Sequence, residues 1–549
     1  KISDSMEYCM GRLKKYLKLV FLVFPLMSLI FSCGGQFYDL IIQNGLIVDG
    51  TGNQAYTGDI AIIGNRIVKI GSLKEIRAIE TIDASGLVVT PGFIDVHTHC
   101  DRGIKRVPTV DNYILQGVTT VIGGNCGGHP FPLAELYKDL EETGISINFG
   151  SLIGHNTIRR EVMKYKMETP TEEEMSQMKA LIDKEMRAGG LGFSTGLSYL
   201  PGIYSKTEEI VGLASVISPY DGIYASHIRD QAQHITEAIK EAITIGERNN
   251  LTVQISHIKL ADDEVWGETE RITKPVDDAR ARGVDVYLDQ YPYTATSSGF
   301  TSSFPSWVFE GGRDRLLERI KDPEIYAKIK AYIIDRRLTS TKGINKLETI
   351  YIANSRNYRE YEGKNLQEIL LAQGKEPTID NGVDLIVEIE KNGGASCVFF
   401  QMDEKDVEDL MKLHYNMVGS DGGVQEVGRG VPHPRNYGTF PRVISYYVRE
   451  KGVLSLEEAI RKMTSLPAQV FKLKDRGLLK AGMYADICVF DLEDFKDKAT
   501  FEDPHQYSQG LSYVIVNGKI AIQAYKHTQN RSGMILYGNG KAQGEQSDH

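Results

Sequence analysis

The sequence predicts an α/β fold in which eight strand–helix units close into a (β/α)8 TIM-like barrel. Strand-like and helix-like segments alternate through 91–300 and 396–475, which is typical of parallel strands with covering helices. Short strand-like segments occupy 37–90 and 476–530, and they predict a small β-sandwich domain built from both chain ends. The alternation breaks within 301–395, where we expect an insertion, or lid, between strands seven and eight.

The two end segments have the sequence pattern of antiparallel strands. The first contains YDLIIQNGLIVDGTG and GDIAIIGNRIVKIG, in which Asn-Gly and Gly-Asn pairs separate apolar runs. The second contains YADICVFDLEDF and YVIVNGKIAI. Such turn signals between short apolar runs indicate hairpins rather than strand–helix units.

The middle of the chain supplies eight candidate barrel strands. One connecting helix begins with a capping box, Thr171 to Glu174, and ends at Gly189–Gly190. In a barrel of this kind the active site lies at the carboxyl ends of the strands. The eight candidate strands are FIDVHTH, TTVIGGNC, SINFGSLIGHN, LGFSTGL, IYASHIRD, TVQISHIK, VYLDQYPY and NMVGSD.

The first 33 residues resemble an export signal. GRLKKYLK is basic, LVFLVFPLMSLIF is apolar, and small residues follow. We expect a signal peptide over 1–32, with the residues before Met10 as an extension. LIFSC resembles a bacterial lipobox, which implies lipidation of Cys33 and a location in the cell envelope. Plain secretion and an uncleaved anchor are the alternatives.

Charge and cysteine content exclude several classes of protein. The 549-residue chain has a net charge of −10 and no long basic run, so nucleic acid is not an expected partner. Its six cysteines follow no spacing of a disulfide framework or a zinc finger.

Metal-binding side chains stand at the predicted ends of five strands. Residues two apart on a strand point to the same side, so the HTH motif directs its two histidines together. Thiolate, imidazole and carboxylate together favour zinc, which can activate water for amide hydrolysis. The candidates are His97, His99, Cys126, His227, His257 and Asp421.

The motifs PGFIDVHTH, GNCG, STGLSYLPG, SHIRD, ISHIK, GSDG and HPRNYGTFPRV resemble those of the N-acyl-D-amino-acid deacylases (D-aminoacylases) of the amidohydrolase superfamily. The resemblance implies a tight zinc site made by Cys126, His227 and His257. It also implies a second, weaker metal site near His97 and His99. Asp421 would be the acid–base residue.

The resemblance further implies a clamp for the substrate carboxylate. Tyr199, Lys259 and Arg435 match positions that hold this group. Tyr293 would donate a hydrogen bond to the substrate carbonyl, with Tyr291 as an equally placed alternative.

Other residues near these motifs have less specific signals. We assign His155 and Asn156, which end strand three, either an orienting role behind the metal ligands or a structural role. We expect Cys100 to be a passive small residue rather than a ligand.

Hydrolysis of small-molecule N-acyl-D-amino acids is therefore the expected function. A dipeptidase for D-residue-containing peptides is a variant of it. A cyclic-amide hydrolase of the dihydroorotase or hydantoinase type is an alternative, although such enzymes usually carry a bridging lysine and lack GNCG. A non-catalytic surface-binding lipoprotein is the alternative from another class. The sequence does not indicate an oligomeric state.

Overall fold

A computed structural model describes residues 37–73 and 77–541. The predicted signal peptide (1–32) and Cys33 lie outside these residues. Within the described ranges, none of the helices has the length and hydropathy that a membrane span requires.

Strands alternate with helices in the middle of the chain and dominate its two ends. The strands are β1 (Phe37–Ile47), β2 (Tyr56–Ile63), β3 (Arg66–Gly71), β4 (Arg77–Asp83), β5 (Val88–Pro91), β6 (Phe93–Asp95), β7 (Val118–Gly123), β8 (Asn148–Ser151), β9 (Ile153–Gly154), β10 (Gly192–Gly196), β11 (Ile223–His227), β12 (Val253–Ile255), β13 (Val286–Gln290), β14 (Ala295–Gly299), β15 (Ile350–Asn354), β16 (Ser396–Phe400), β17 (Asn416–Val418), β18 (Ile487–Phe490), β19 (Leu511–Val516), β20 (Lys519–Gln523) and β21 (Lys526–His527). The α-helices are α1 (Asp111–Ile114), α2 (Leu133–Thr143), α3 (His155–Met163), α4 (Glu172–Arg187), α5 (Thr207–Ala214), α6 (Ile235–Asn249), α7 (Glu270–Ala281), α8 (Arg313–Arg319), α9 (Pro323–Ile333), α10 (Leu366–Ala372), α11 (Ile379–Lys391), α12 (Glu404–Met411), α13 (Arg435–Arg442), α14 (Leu456–Met463) and α15 (Ser465–Val470).

All eight predicted barrel strands are present and run parallel. β6 pairs with β7 and β7 with β8, while β9 to β13 and β17 form a second run of parallel neighbours. Leu152 interrupts strand three, which is therefore split into β8 and β9. The ring closes where the segment after β17 meets the segment after β6, because the Asp421 amide donates to the His97 carbonyl at 2.8 Å and Thr98 bridges Gly422.

The helices turn apolar faces towards the strands. In α6, for example, Ile235, Ile239 and Ile243 are buried in the barrel's main hydrophobic core, at the i, i+4, i+8 spacing of one helix face. The predicted capping box of α4 is present, with the Glu174 amide donating to the Thr171 hydroxyl at 3.1 Å. These helices hold the strand ends in place from outside.

Strands from both chain ends form one nine-stranded sheet. Its order is β21-β20-β19-β18-β5-β1-β2-β3, and β4 pairs with β1. β18 joins the two chain ends by running antiparallel to β5. Apolar side chains from both ends, including Ile42, Ile60, Ile487 and Ile515, are buried in one cluster against this sheet.

A separate group of elements stands between β13 and β17. β14, β15 and β16 form a three-stranded antiparallel sheet, and α8 to α11 surround it. These elements have a hydrophobic core of their own, which includes Phe300, Leu316, Ile352 and Ile386. We refer to residues 301–395 as the insertion.

Candidate active site

The predicted metal-binding side chains all lie at one end of the barrel. His97 and His99 follow β6, Cys126 follows β7, and His227 is the last residue of β11. His257 and Asp421 follow β12 and β17. Because the strands are parallel, all of these side chains lie at their carboxyl ends.

The Cys126 sulfur lies at the centre of the imidazoles. Its Sγ is 3.3 Å from His97 Nε2, 3.7 Å from His227 Nδ1 and 3.5 Å from His257 Nε2. Two donors of a tetrahedral zinc ion, one sulfur and one nitrogen, are separated by about 3.5 Å if the usual bond lengths hold. The spacing of these atoms therefore fits a zinc ion between them.

Asp421 completes the donor set on the opposite side. Its Oδ1 is 3.1 Å from His99 Nε2 and 3.6 Å from His97 Nε2. The ligand atoms of four buried residues lie within 4.8 Å of one another, namely those of His97, Cys126, His257 and Asp421. His227 adjoins this group through Cys126, and His99 adjoins it through Asp421. The arrangement offers donors for one metal ion and for a second beside it.

Three of the donors have left-handed backbones. The φ angle is +52° at Cys126, +37° at His257 and +50° at Asp421. Residues with a Cβ rarely adopt this region, and each such position costs on the order of 1–3 kcal/mol when strained. The surrounding packing holds the three side chains inward at this cost, which is typical of a functional site.

At Cys126 and His257 the charges of the site favour the forms that bind a metal, whereas at His97 the Asp289 carboxylate and the Cys126 thiolate outweigh burial and raise the pKa of the imidazole. Burial opposes ionisation of the Cys126 thiol, but the charge of His97 and hydrogen bonds from His227 and His257 outweigh it and hold the pKa of the thiol well below its ordinary value. Burial and the nearby Lys259 lower the pKa of His257 to about 3, which keeps this imidazole neutral. A thiolate and a neutral imidazole are the states that coordinate zinc.

Polar residues next to the donors fix their orientation. The Asp289 carboxylate accepts a 2.9 Å hydrogen bond from the His257 amide, and it lies 3.3 Å from His97 Nδ1. The Ser198 hydroxyl lies 2.7 Å from His227 Nε2. The Gln231 amide nitrogen lies 3.0 Å from His257 Nδ1. Partners of this kind orient metal-binding histidines and tune their basicity.

The sequence analysis missed Asp289, Ser198 and Gln231. Asp289 had a detectable signal, since it is an acidic residue inside the apolar strand VYLDQ. Ser198 and Gln231 lie in loops, and no period or spacing in the sequence connects them to the histidines that they contact.

Two basic residues of the predicted clamp adjoin the donors. Arg435 Nη1 is 2.9 Å from Asp421 Oδ2. Lys259 Nζ donates to the Gln231 carbonyl oxygen at 2.7 Å and lies 3.1 Å from His257 Nδ1. Among the described residues Lys259 has no carboxylate within ion-pair distance. Both cations are therefore placed to receive a substrate carboxylate.

Of the two candidate tyrosines, Tyr291 faces the cavity and Tyr293 does not. Tyr291 lines the cavity beside the metal donors, and the Arg435 guanidinium lies 4.8 Å from its ring centre. The Tyr293 ring instead packs against His433 and Phe501. The placement favours Tyr291 over Tyr293 as a contact for substrate.

Two cavities meet at the donor cluster. The inner cavity has a volume of about 280 Å³ and reaches from Lys259 and Tyr291 to the insertion. The outer cavity, of about 720 Å³, runs past His99 and Arg435 to the surface. Tyr199 and Asp421 line both, so a substrate bound across them has its middle at the metal donors.

The remaining sequence candidates have positions outside the donor cluster. His155 points away from it, since its Nε2 lies 3.0 Å from buried Glu209. Asn156 donates hydrogen bonds to the carbonyls of Gly196 and Tyr199 at 3.0 and 3.2 Å, and so holds the loop that carries Tyr199. Cys100 is buried, and its sulfur accepts a 3.0 Å hydrogen bond from the Thr98 hydroxyl.

Comparison with protein families identifies the family of the chain. The model of the amidohydrolase family matches residues 80–312 and 378–522. The chain belongs to the amidohydrolase family. The family match omits 313–377, a stretch that lies inside the insertion.

Relatives that align over most of the chain are deacylases. The chain is 34% identical to a D-aminoacylase and 33% identical to an N-acyl-D-glutamate deacylase, both from Alcaligenes xylosoxydans xylosoxydans. These alignments cover 91% of the chain and 98% and 96% of the two relatives. A crystal structure of N-acyl-D-glutamate deacylase from Bordetella bronchiseptica, with zinc and a phosphonate mimic of the tetrahedral intermediate, is 30% identical. It superposes with a TM-score of 0.78 over 91% of this chain and all of that one.

The comparisons confirm the predicted fold class and the predicted zinc dependence. The amidohydrolase barrel agrees with the eight parallel strands described above, and the zinc of the Bordetella structure agrees with the donor set around Cys126. No comparison assigns a role to an individual residue, so the division of ligands between two metal sites stays a prediction.

Proposed function

We propose that this amidohydrolase removes the acyl group from N-acyl-D-amino acids, giving a carboxylate and a free D-amino acid. The observation that carries the proposal is the position of the Cys126 sulfur, within 3.7 Å of three imidazole nitrogens and beside Asp421. The named deacylases among its relatives support the linear amide substrate and the D configuration.

Arg435 and Lys259 are the groups that hold the substrate carboxylate. In the absence of substrate Arg435 pairs with Asp421. A substrate carboxylate competes for the same guanidinium, because arginine binds carboxylates through two parallel N–H groups. Burial lowers the pKa of Lys259 to about 7, and its protonated form adds a second positive charge from the inner cavity. Binding of substrate thus releases Asp421 from part of its ion pair.

Asp421 is the group that moves the proton. Zinc held by the donor set would polarise the scissile carbonyl and acidify the attacking water. The Asp421 carboxylate accepts a proton from that water while the water oxygen forms a bond to the carbonyl carbon. It then gives the proton to the leaving nitrogen as the carbon–nitrogen bond breaks.

Tyr199 and Tyr291 are suited to donate hydrogen bonds to the substrate. Burial raises the pKa of both phenols, and the nearby Cys126 and Asp421 charges raise the pKa of Tyr199 further. Both side chains therefore keep their protons at neutral pH. Fixed donors of this kind stabilise the negative charge that develops on the carbonyl oxygen.

The test is an assay of amine release by the zinc-loaded protein from matched N-acetyl-D- and N-acetyl-L-amino acids. We expect turnover of D-forms only. The Asp421→Asn variant should keep its zinc and lose about 10²–10⁴-fold in kcat, the usual share of general acid–base catalysis. Asp139→Asn, at a partly exposed carboxylate of α2 that pairs with Lys105 outside both cavities, is the control and should keep most activity. Equal rates on L-forms, or full activity of Asp421→Asn, would contradict the proposal.

We also propose that the protein is exported and anchored through a lipid on Cys33. The support is the sequence pattern alone, a basic segment and a short apolar segment before SC. In a bacterial host the full chain should sediment with membranes, and Cys33→Ser should shift it to the soluble fraction. An unchanged distribution would argue against the anchor.

A further inference from the structure

Three arginines line the inner cavity, and one of them has no acidic partner. Arg229 pairs with Glu241 at 2.9 Å, and Arg336 pairs with Asp230 at 3.1 Å. Arg337 has no carboxylate within 4.0 Å in the part of the chain that the structure describes. The charge of this guanidinium is therefore left without a counterion in the wall of the cavity.

Neutral groups hold the Arg337 side chain in place. Its Nε donates to the Ser303 hydroxyl at 3.1 Å, and its Nη2 donates to the Ser302 hydroxyl at 3.0 Å. The guanidinium carbon lies 5.0 Å from the centre of the Phe399 ring. These contacts fix the orientation of the Arg337 guanidinium without neutralising its charge.

The rest of the wall does not supply the missing negative charge. Burial lowers the pKa of Arg337 to about 10, so the group still carries its charge at neutral pH. Asp262 also lines this cavity, but its carboxylate forms no ion pair with Arg337. Asp263 itself pairs with Lys346 at 2.7 Å.

Arg337 is within reach of a molecule bound at the metal donors. The inner cavity that it lines also exposes His257, Lys259 and Asp421. Tyr199 lines the same cavity, and its ring centre lies 4.4 Å from that of the metal donor His227. A substrate whose α-carboxylate binds Lys259 and Arg435 thus extends towards Arg337, a further cation that has no acidic partner among the described residues.

We infer that Arg337 binds a carboxylate on the side chain of the D-amino acid, so that the preferred substrates are N-acyl derivatives of D-glutamate or D-aspartate. The inference rests on the proposed function and specifies its substrate class. An unpaired cation in a partly closed cavity gains most from a ligand that brings the opposite charge. The relatives do not indicate which D-amino acid side chain is preferred. The chain is almost equally similar to the D-aminoacylase (34% identical) and to the N-acyl-D-glutamate deacylase (33% identical).

The test compares substrates that differ only in charge. For the zinc-loaded protein we expect kcat/KM for N-acetyl-D-glutamate to exceed that for N-acetyl-D-glutamine by about 10–100-fold, the usual value of a charged hydrogen bond. Arg337→Gln should bring this ratio close to one, and Arg337→Lys should leave an intermediate ratio. The ratio does not depend on the fraction of folded enzyme, so partial misfolding of a variant does not affect it.

Arg315→Gln is the matched control, because Arg315 is an exposed arginine of the insertion that lies outside both cavities. It should keep the wild-type ratio. A wild-type ratio near one, or an equal loss on both substrates in Arg337→Gln, overturns the inference.

Three further outcomes show which assignment fails. If N-acetyl-D-leucine is turned over but N-acetyl-D-glutamate is not, the inference fails and the proposed function stands. If N-succinyl-D-leucine is strongly preferred to N-acetyl-D-leucine and Arg337→Gln abolishes the preference, Arg337 binds the acyl group and the side-chain assignment is overturned. If no N-acyl-D-amino acid is turned over while zinc is bound, the proposed function itself fails.

Discussion

Two buried cysteines of the barrel differ in chemistry because their neighbours differ. Cys126 is surrounded by imidazole nitrogens, which lower the pKa of its thiol. At Cys100, burial and the nearby Asp101 raise the pKa of the thiol well above its ordinary value, and its sulfur accepts a hydrogen bond from Thr98. Only the first is in the ionised form that binds zinc.

This contrast predicts the zinc content of two variants. Cys126→Ala should lose the tightly bound metal, about one zinc per chain by the usual stoichiometry of such a centre. Cys100→Ala, a matched removal of a buried thiol, should retain it. Elemental analysis after dialysis measures both. Retention of zinc by Cys126→Ala would show that the imidazoles and Asp421 suffice, and would remove the cysteine from the ligand set.

The residues that could be predicted are those whose identity and local spacing already carry the chemistry. His97 and His99 were predicted from strand alternation; β6 ends at Asp95, before either of them, but both imidazoles lie beside Asp421. Tyr291 and Tyr293 could not be separated in this way. β13 ends at Gln290, and the Tyr293 amide donates to the Tyr291 carbonyl in a tight turn, so strand alternation no longer applies.

The insertion is fastened to the barrel through one buried carboxylate. Asp263, in the loop after β12, accepts hydrogen bonds from Lys346 Nζ at 2.7 Å and from the Lys342 amide at 3.1 Å. The Ser340 hydroxyl donates to the same carboxylate at 2.5 Å. The Arg336–Asp230 pair is a second, more exposed link. These contacts hold the segment that carries Arg337 over the inner cavity.

Removal of the lysine from this anchor should loosen the insertion. Lys346→Ala leaves the Asp263 charge buried without its partner, a change that costs about 3–5 kcal/mol in comparable buried pairs. We expect a lower urea midpoint and a raised KM, with zinc content unchanged because the donors lie on the barrel. Arg315→Ala, which removes an exposed ion pair on α8, should change little. An unchanged KM in Lys346→Ala would mean that the anchor does not position the insertion.

The barrel strands could be predicted from the sequence, whereas the arrangement of the insertion could not. The barrel strands were recognisable because each is a short apolar run followed by a helix with one apolar face. The arrangement of the insertion and of the two strands that flank it was not, because β14, β15 and β16 pair out of sequence order, with β16 between the other two. Its helices also pack on a core of their own rather than on the barrel. Such pairing depends on contacts between distant residues and leaves no local period.

At the scale of the whole molecule, the two chain ends depend on each other through the nine-stranded sheet. β5 pairs with β1 on one side and with β18 on the other. The apolar cluster against the sheet likewise combines N-terminal residues with Ile487, Val489 and Ile515. Neither end completes this core alone.

Because the chain is synthesised from its N-terminus, β5 must wait for its partner β18 to be made. At about 5–20 residues per second, the roughly 400 residues between β5 and β18 take about 20–80 s to make. During that time the free edge of β5 is open to pairing with other chains. Ribosome-bound chains that stop before Ile487 should be cut by protease around β5, whereas chains that extend past β20 should resist. Equal resistance of both would mean that the first strands fold without their late partner. For a cell, the exposed interval is a period in which a newly made chain needs a chaperone.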